Sequence, residues 1–298
     1  MRHREEAVVF ECAGESLVGV VALPEAPSGT GVLIVVGGPQ YRAGSHRQFV
    51  LLARFLAAKG VACMRFDYRG MGDSTGEARD FRDINEDIEA AIDVFLRRVP
   101  TLEGVVLWAL CDGASASCLY AAADPRVHGL VLVNPWVRTE AGEAQVYLRH
   151  YYSKRLIDGR FWKKLLRGEV KVGESLRSLA SLAGKAGAGG AKPLEGDASQ
   201  ADLPDRMSAG LARCDIPLAI FLSGNDYVAR EFEQEARKRQ RWAAIIADPQ
   251  TELLTFESAD HTFSSARERE EVAVATWRWL IRRRLAREAS DKLMEPLG

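Results

Sequence analysis

A chain of 298 residues allows one large domain or two ordinary ones, and an apolar content of 47% is that of a globular protein with a sizeable core. A formal net charge of −1 excludes the strong basic excess of nucleic-acid-binding chains, and no run approaches the roughly 18 apolar residues of a membrane-spanning helix. Five cysteines without CxxC pairing speak against a disulfide framework and a zinc site, and the charged start MRHREEAVVF lacks a secretory signal's apolar core, so the expected location is the cytoplasm.

In chain order, VVFECAGESLVGVVALP reads as two strands with a turn near Gly14–Glu15, an antiparallel start to a sheet. GVLIVV (Gly31 to Val36) is the apolar, β-branched run of a buried strand. Phe49, Leu52 and Leu56 recur at helical spacing, and Gly60 ends that helix. VACMRF (Val61 to Phe66) is the next strand. Ile84, Ile88, Ala91, Ile92, Phe95 and Val99 form a helical stripe, and Asp83 with Glu86 suits its N-terminal cap. VVLWAL (Val105 to Leu110) and VHGLVLV (Val127 to Val133) are strands flanking a small-residue helix.

From Pro135 to about Cys214 the rhythm breaks, and residues 135–214 read as an inserted helical cap with a flexible Ala/Gly-rich segment near 181–193. Alternation resumes with IPLAIFLSG (Ile216 to Gly224), a helix from about Ala229, the strand TELLTFE (Thr251 to Glu257) and a last helix burying Ala273, Trp277, Leu280 and Ile281. The fold class is α/β, a mostly parallel sheet of about eight strands flanked by helices. Residues 1–134 and 215–298 form its one interrupted core domain.

The chemistry gathers at V-V-L-W-A-L-C-D-G-A-S-A-S, where a strand ends at Leu110 and a small-residue helix begins after Asp112. This is the context of a nucleophile elbow, the tight strand-to-helix turn written G-x-S-x-G. Small residues are needed two positions either side, and Ala109 and Gly113 stand there, with Cys111 as the nucleophile. The plain alternative is a buried, inert thiol, since cysteine is among the most buried residue types. In such an enzyme the acid follows a later strand and the histidine follows the last one. LAIFLSGND delivers Asp226, and LLTFESADH delivers His261. Asp260 is the weaker acid candidate, because its neighbour's far ring nitrogen is out of easy reach. Asn134 occupies the position after the earlier strand where some such enzymes carry their acid, which favours Asp226.

An oxyanion needs donors, for which the backbone N–H of Asp112 and one from GGPQYRAGSH are candidates. Pro39 has no N–H, which leaves Gly38 or Gln40, with Gln40 preferred. F-D-Y-R-G-M-G-D-S (Phe66 to Ser74) is glycine-rich but lacks G-x-x-x-x-G-K-[ST] and a full G-x-G-x-x-G, so it is no nucleotide site. Arg69 and Asp73 are expected to be structural.

By its D-Y-R-G-M-G-D-S loop, its elbow and the order Cys111, Asp226, His261, the chain resembles the α/β-hydrolases throughout, outside the cap. More narrowly, GGPQYRAGSHRQFV, ALCDGASA and NPWVRTEAGEAQ resemble the type-one hydrolase associated with the exosortase A system, which occurs with exopolysaccharide loci and PEP-CTERM sorting. Cysteine at the elbow is also seen in dienelactone hydrolases and bile-acid-CoA N-acyltransferases. Cys for Ser and Ala for the first Gly depart from the usual esterase pattern.

The residue types imply acyl chemistry on a small-molecule or carrier-linked substrate, through a thioester on Cys111. Water as acceptor makes an esterase or thioesterase, an amine or alcohol an acyltransferase. A non-catalytic scaffold of the same fold is the rival from another class. Tyr41, Trp136 and Arg138 are candidate substrate contacts, and the basic, aromatic cap is read either as a cover for an acyl chain or as ordinary amphipathic helices. No metal or organic cofactor is implied. W-R-W-L-I-R-R-R-L-A-R near the end reads as a solvated face, with peripheral membrane contact the lesser reading.

Overall fold

The first hairpin sets one edge of the sheet. β1 (His3–Cys12) and β2 (Glu15–Pro24) pair antiparallel through a tight turn at Ala13–Gly14, both with positive φ. The structure, a computed structural model, describes residues 2–38, 40–138 and 202–286. The strands that follow are β3 (Thr30–Val35), β4 (Cys63–Phe66), β5 (Gly104–Leu110), β6 (Val127–Val133), β7 (Leu218–Ser223) and β8 (Thr251–Phe256). They make one eight-stranded sheet in the order β1-β2-β4-β3-β5-β6-β7-β8. β2 is antiparallel to both neighbours, and every pair from β4 to β8 is parallel. β3, β4, β5 and β7 are buried along their whole length, as apolar runs covered on both faces must be. β8 closes the other edge and is only half-buried, with Leu253 exposed.

The described helices, numbered in chain order, are α1 (Gln48–Ala58), α2 (Asn85–Arg98), α3 (Asp112–Tyr120), α4 (Leu203–Leu211), α5 (Tyr227–Lys238), α6 (Gln240–Ala247) and α7 (Ala266–Arg282). α1 buries Phe49, Leu52 and Leu56, the stripe read from sequence, and Phe49 meets Trp108 of β5 edge-on at 5.9 Å. The Trp108 indole donates to Thr276 Oγ1 (3.1 Å), which fastens β5 to α7.

Two local expectations are corrected. Asp83 and Glu86 do not cap α2. Asp80 instead caps a short 3₁₀ turn at Phe81–Asp83 by accepting from the Arg82 N–H, and Glu86 turns to Arg69 (2.7 Å). A guanidinium within reach is a better partner for a carboxylate than a neutral amide. On α7 the buried indole is Trp279, not Trp277, which is half-buried under the Lys59 ammonium, as Ile281 is also half-buried. Gly129 lies against the buried ring: a Cβ there would lie 3.0 Å from Trp279, so glycine lets the indole pack close to β6.

The chain divides into two compact units, residues 1–137 with 205–298, and residues 138–204. Most of the anticipated 135–214 cap, including 181–193, lies outside the described residues. α4 from Asp205 onward belongs with the sheet, where Met207 and Ser208 are fully buried. Among the described residues no helix is long and apolar enough to cross a membrane.

Candidate active site

The loops at the carboxyl ends of β3, β5, β6, β7 and β8 carry the candidate residues, the end of an open α/β sheet where ligands bind. β5 runs into Cys111, whose φ of 59° and ψ of −125° turn the chain directly into α3. That backbone is disfavoured for a residue with a Cβ, and its effect is to lift the side chain clear of strand and helix. The turn is pressed from both sides. A Cβ on Gly37 would lie 2.1 Å from the Leu110 carbonyl oxygen, and one on Gly113 would lie 2.6 Å from the Val35 carbonyl oxygen. Gly113 was legible from the elbow pattern; the need for Gly37 arises only because the β3 loop crosses the elbow.

The elbow is tied to the loop after β6. Cys111 N–H donates to Val133 O (2.9 Å), Trp136 N–H donates to Cys111 O (3.1 Å), and the Ser115 hydroxyl donates to the Trp136 carbonyl. Trp136 is thus engaged through its backbone at Cys111 itself. Its side chain and Arg138 are both half-buried, and Tyr41 is half-exposed on the β3 loop.

Asp226 follows β7 and begins α5. Its carboxylate accepts from the Val228 and Ala229 N–H groups (3.1 and 3.2 Å) as an N-cap, and Oδ2 also meets His261 Nδ1 at 2.8 Å. One carboxylate therefore anchors to its own helix and orients the imidazole. Burial works against charging the imidazole, but the bond to Asp226 and the nearby Cys111 side chain outweigh it and push the pKa up to about 10. His261 itself is held by what flanks it. Phe263, buried and at positive φ, stacks edge-on against Phe256, which does the same against Phe221. Burying a ring of that size contributes about 2 kcal/mol, enough to keep the loop down.

Asp260 bonds the Thr262 and Ser264 N–H groups and the Ser264 hydroxyl, shaping the loop. Asn134 carries a role that sequence reasoning did not assign. Fully buried, it donates from Nδ2 to Ser223 Oγ (2.9 Å) and the His261 carbonyl (3.1 Å), and accepts from Ser223 N–H (2.8 Å). It joins β6, the end of β7 and the histidine loop. The one signal in the sequence was an asparagine at a strand end, a residue that tolerates the positive φ found there.

Of the oxyanion candidates, Gly38 reaches the elbow: its N–H donates to Asp112 Oδ1 at 2.5 Å. The Gln40 side chain braces its own loop, accepting from Ser45 N–H (3.2 Å) and the Gln48 amide (3.4 Å). Burial pushes the Asp112 carboxyl up, against the N–H groups of Gly38, Gly113 and Asp112 itself, which favour its charge. The loop after β4 is knotted by carboxylates. Arg69 is bidentate on buried Asp87 (3.0 and 2.8 Å), while Asp67 takes the Arg42 N–H, the Arg42 guanidinium and the Asp73 N–H. Asp73 pairs with Arg42 at 2.6 Å. Arg69 and Asp73 are structural as expected, and these guanidiniums are neutralised internally.

The family model for serine aminopeptidase, S33, matches residues 30–181, just over half of the chain. The chain belongs to that hydrolase family. Its described residues carry the α/β-hydrolase fold, and the protein is a hydrolase of that class. The family is described by serine, whereas the residue at this elbow is Cys111. Among curated proteins, the polyketide transferase grgF of Penicillium sp is similar, 30% identical over 90 residues. That match covers 29% of this chain and 31% of the relative, so the chain spans about a third of that protein's length. Among solved structures, the Pyrococcus furiosus esterase Pf2001 is similar with a TM-score of 0.63 at 15% identity, over 94% of this chain and 93% of the other. The α/β-hydrolase GrgF from Penicillium sp. sh18 follows with 0.62 at 16%, over 94% and 99%. Dienelactone hydrolase from Anabaena variabilis gives 0.60 at 16%, over 96% and 100%. At such identities the likeness to these hydrolases is one of fold.

Proposed function

We propose that this hydrolase processes acyl groups, cleaving ester or thioester bonds through a covalent thioester on Cys111, with His261 as base and Asp226 as its orienting acid. The observation that carries this reading is the 2.8 Å contact between Asp226 Oδ2 and His261 Nδ1 beside the Cys111 elbow, where Asp226 and Cys111 both push the imidazole pKa up. A protonated ring beside the sulfur suits a thiolate–imidazolium pair. The sulfur adds to the acyl carbon, the carbonyl electron pair moves onto oxygen, and the bond to the leaving group breaks as His261 supplies its proton. The neutral ring then takes a proton from the acceptor that attacks the thioester. Backbone N–H groups of Asp112 and Gly38 would hold the oxyanion, and Tyr41, Trp136 and Arg138 are the candidate substrate contacts. Gln40 remains a further candidate donor.

Transfer to an amine or hydroxyl is a second reading, favoured by the similarity to a polyketide transferase and by a thioester's readiness to react with amines. The resemblance of three segments to the exosortase A-associated hydrolase points to a carrier-linked or saccharide-related substrate, handled in the cytoplasm.

Intact-protein mass spectrometry tests the core of this. Wild type incubated with p-nitrophenyl esters and acyl thioesters of several lengths should gain the acyl mass, and Cys111→Ala should not. An adduct that persists in Cys111→Ala would sink the assignment. No adduct and no turnover with any donor would favour a binding scaffold. Adding water alone, amines or sugars to the acylated protein separates hydrolysis from transfer.

A further inference from the structure

One of the two amides that should receive an oxyanion already holds a carboxyl oxygen. Asp112 Oδ1 accepts from the Gly38 N–H at 2.5 Å. That N–H is one of the two donors assigned to the tetrahedral intermediate, the other being the N–H of Asp112 itself. Space around the carboxylate is small, since a Cβ on Gly37 would lie 2.4 Å from Asp112 Oδ1.

We propose that the Asp112 side chain plugs the oxyanion cradle with its own carboxylate, so that Asp112 is a positioning residue and the acyl carbonyl enters only when that carboxyl is neutral or turned out. The inference rests on the acyl chemistry proposed above. When the Cys111 sulfur bonds to the carbonyl carbon, the former carbonyl oxygen becomes an alkoxide that needs these amides. Two anions cannot share them without strong repulsion in a partly buried site. The surrounding groups favour a neutral carboxyl. Asp80, the cap of the 3₁₀ turn, adds a like charge, and burial acts in the same direction. Tyr68, on the loop after β4, is pushed up by burial and next by Asp112, and offers no positive charge. Cys111 stands next in the chain, and the positive charge of His261 is directed to Cys111 and Asp226. Arg42 and Arg69, the nearby guanidiniums of the β3 and β4 loops, are bound by Asp67, Asp73, Glu86 and Asp87. The consequence is an enzyme whose acylation is restrained near neutral pH and released by protonation of Asp112 or by a substrate group that draws the carboxylate away.

The test measures the single-turnover acylation rate with a p-nitrophenyl ester from pH 4 to 9 in wild type, Asp112→Asn and Asp112→Ala. In parallel, the Gly38 amide is followed in ¹⁵N-glycine-labelled protein, its resonance identified by its loss in Gly38→Ser. The Gly38 amide should shift with one titration in wild type, and that titration should vanish in Asp112→Asn. Above its midpoint Asp112→Asn should acylate about tenfold faster than wild type, with the two converging at low pH. A residue needed only for folding would give slower variants with an unchanged profile, and that result overturns the proposal. A Gly38 amide that does not titrate with Asp112 overturns it as well. If no donor acylates any of the proteins, the reading of Cys111 fails separately, and the amide titration still decides whether the carboxylate fills the cradle.

Discussion

β5 and β6 lie side by side in the middle of the sheet, and each ends in a non-glycine residue at positive φ, Cys111 at 59° and Asn134 at 45°. The same backbone device serves opposite ends. Asn134 is fully buried, and its short amide makes three hydrogen bonds that hold β7 and the histidine loop. Cys111 stays partly exposed, and its ψ of −125° falls outside the left-handed well that asparagine tolerates. One strand end presents a sulfur through a disfavoured backbone; the other holds the His261 loop through a buried amide.

The sharpest way to break this contrast is at the sulfur. Cys111→Ala should lower acyl turnover by a factor of about 10⁴ or more, read by steady-state kinetics. Cys111→Gly should be equally inactive yet more stable than Cys111→Ala by about 1 kcal/mol in urea unfolding, because glycine adopts that φ freely. Equal stabilities would show that the elbow stores no strain.

Asp226→Asn should reduce kcat by about 10³-fold or more; it keeps the helix cap, since asparagine caps as well as aspartate does, and loses at neutral pH the stability that the pairing with His261 contributes. Histidine NMR should show the His261 pKa falling well below 10 in that variant.

Asn134→Ala should destabilise the protein by about 3 kcal/mol in chemical denaturation. It strands the Ser223 N–H, the Ser223 hydroxyl and the His261 carbonyl, and places a less tolerant residue at positive φ. Ser223→Ala keeps the backbone bond to Asn134 and should cost only about 1 kcal/mol.

The pH dependence of stability is the gentlest probe. The His261 pKa is raised on folding, so its contribution is fully present below its ordinary value near 6.5 and fades as pH rises through about 10. Thermal melts across pH 6 to 10 should show this loss in wild type and a flatter curve in Asp226→Asn. The same slope in both proteins would mean that Asp226 does not hold the proton.

The strands were legible because GVLIVV, VVLWAL and VHGLVLV are apolar runs that only a sheet covered on both faces can bury, and the helix over Phe49, Leu52 and Leu56 followed from its period. Cys111, Asp226 and His261 were legible as candidates because each stands in the loop after a strand, in the chain order this chemistry uses, and the structure brings Asp226 and His261 together at 2.8 Å. Side-chain partners were not legible. Glu86 reads as a capping residue in the sequence but pairs with Arg69, and period alone could not say that Trp279 and not Trp277 is the buried indole. Asn134 was noticed only for not being an acid.

Local sequence thus determined the elements, their order and the three residues at the strand ends, because those depend on hydrophobic period and on neighbours along the chain. Tertiary structure alone decided that Gly37 must lack a side chain, that Asn134 ties the histidine loop, and that the Asp112 carboxylate lies on the Gly38 amide. Each of these joins segments about 75 to 130 residues apart, with Gly38 and Asp112 separated by 74 positions and Asn134 and His261 by 127. Contacts across such distances are set by how strands pack beside one another, which no local pattern encodes.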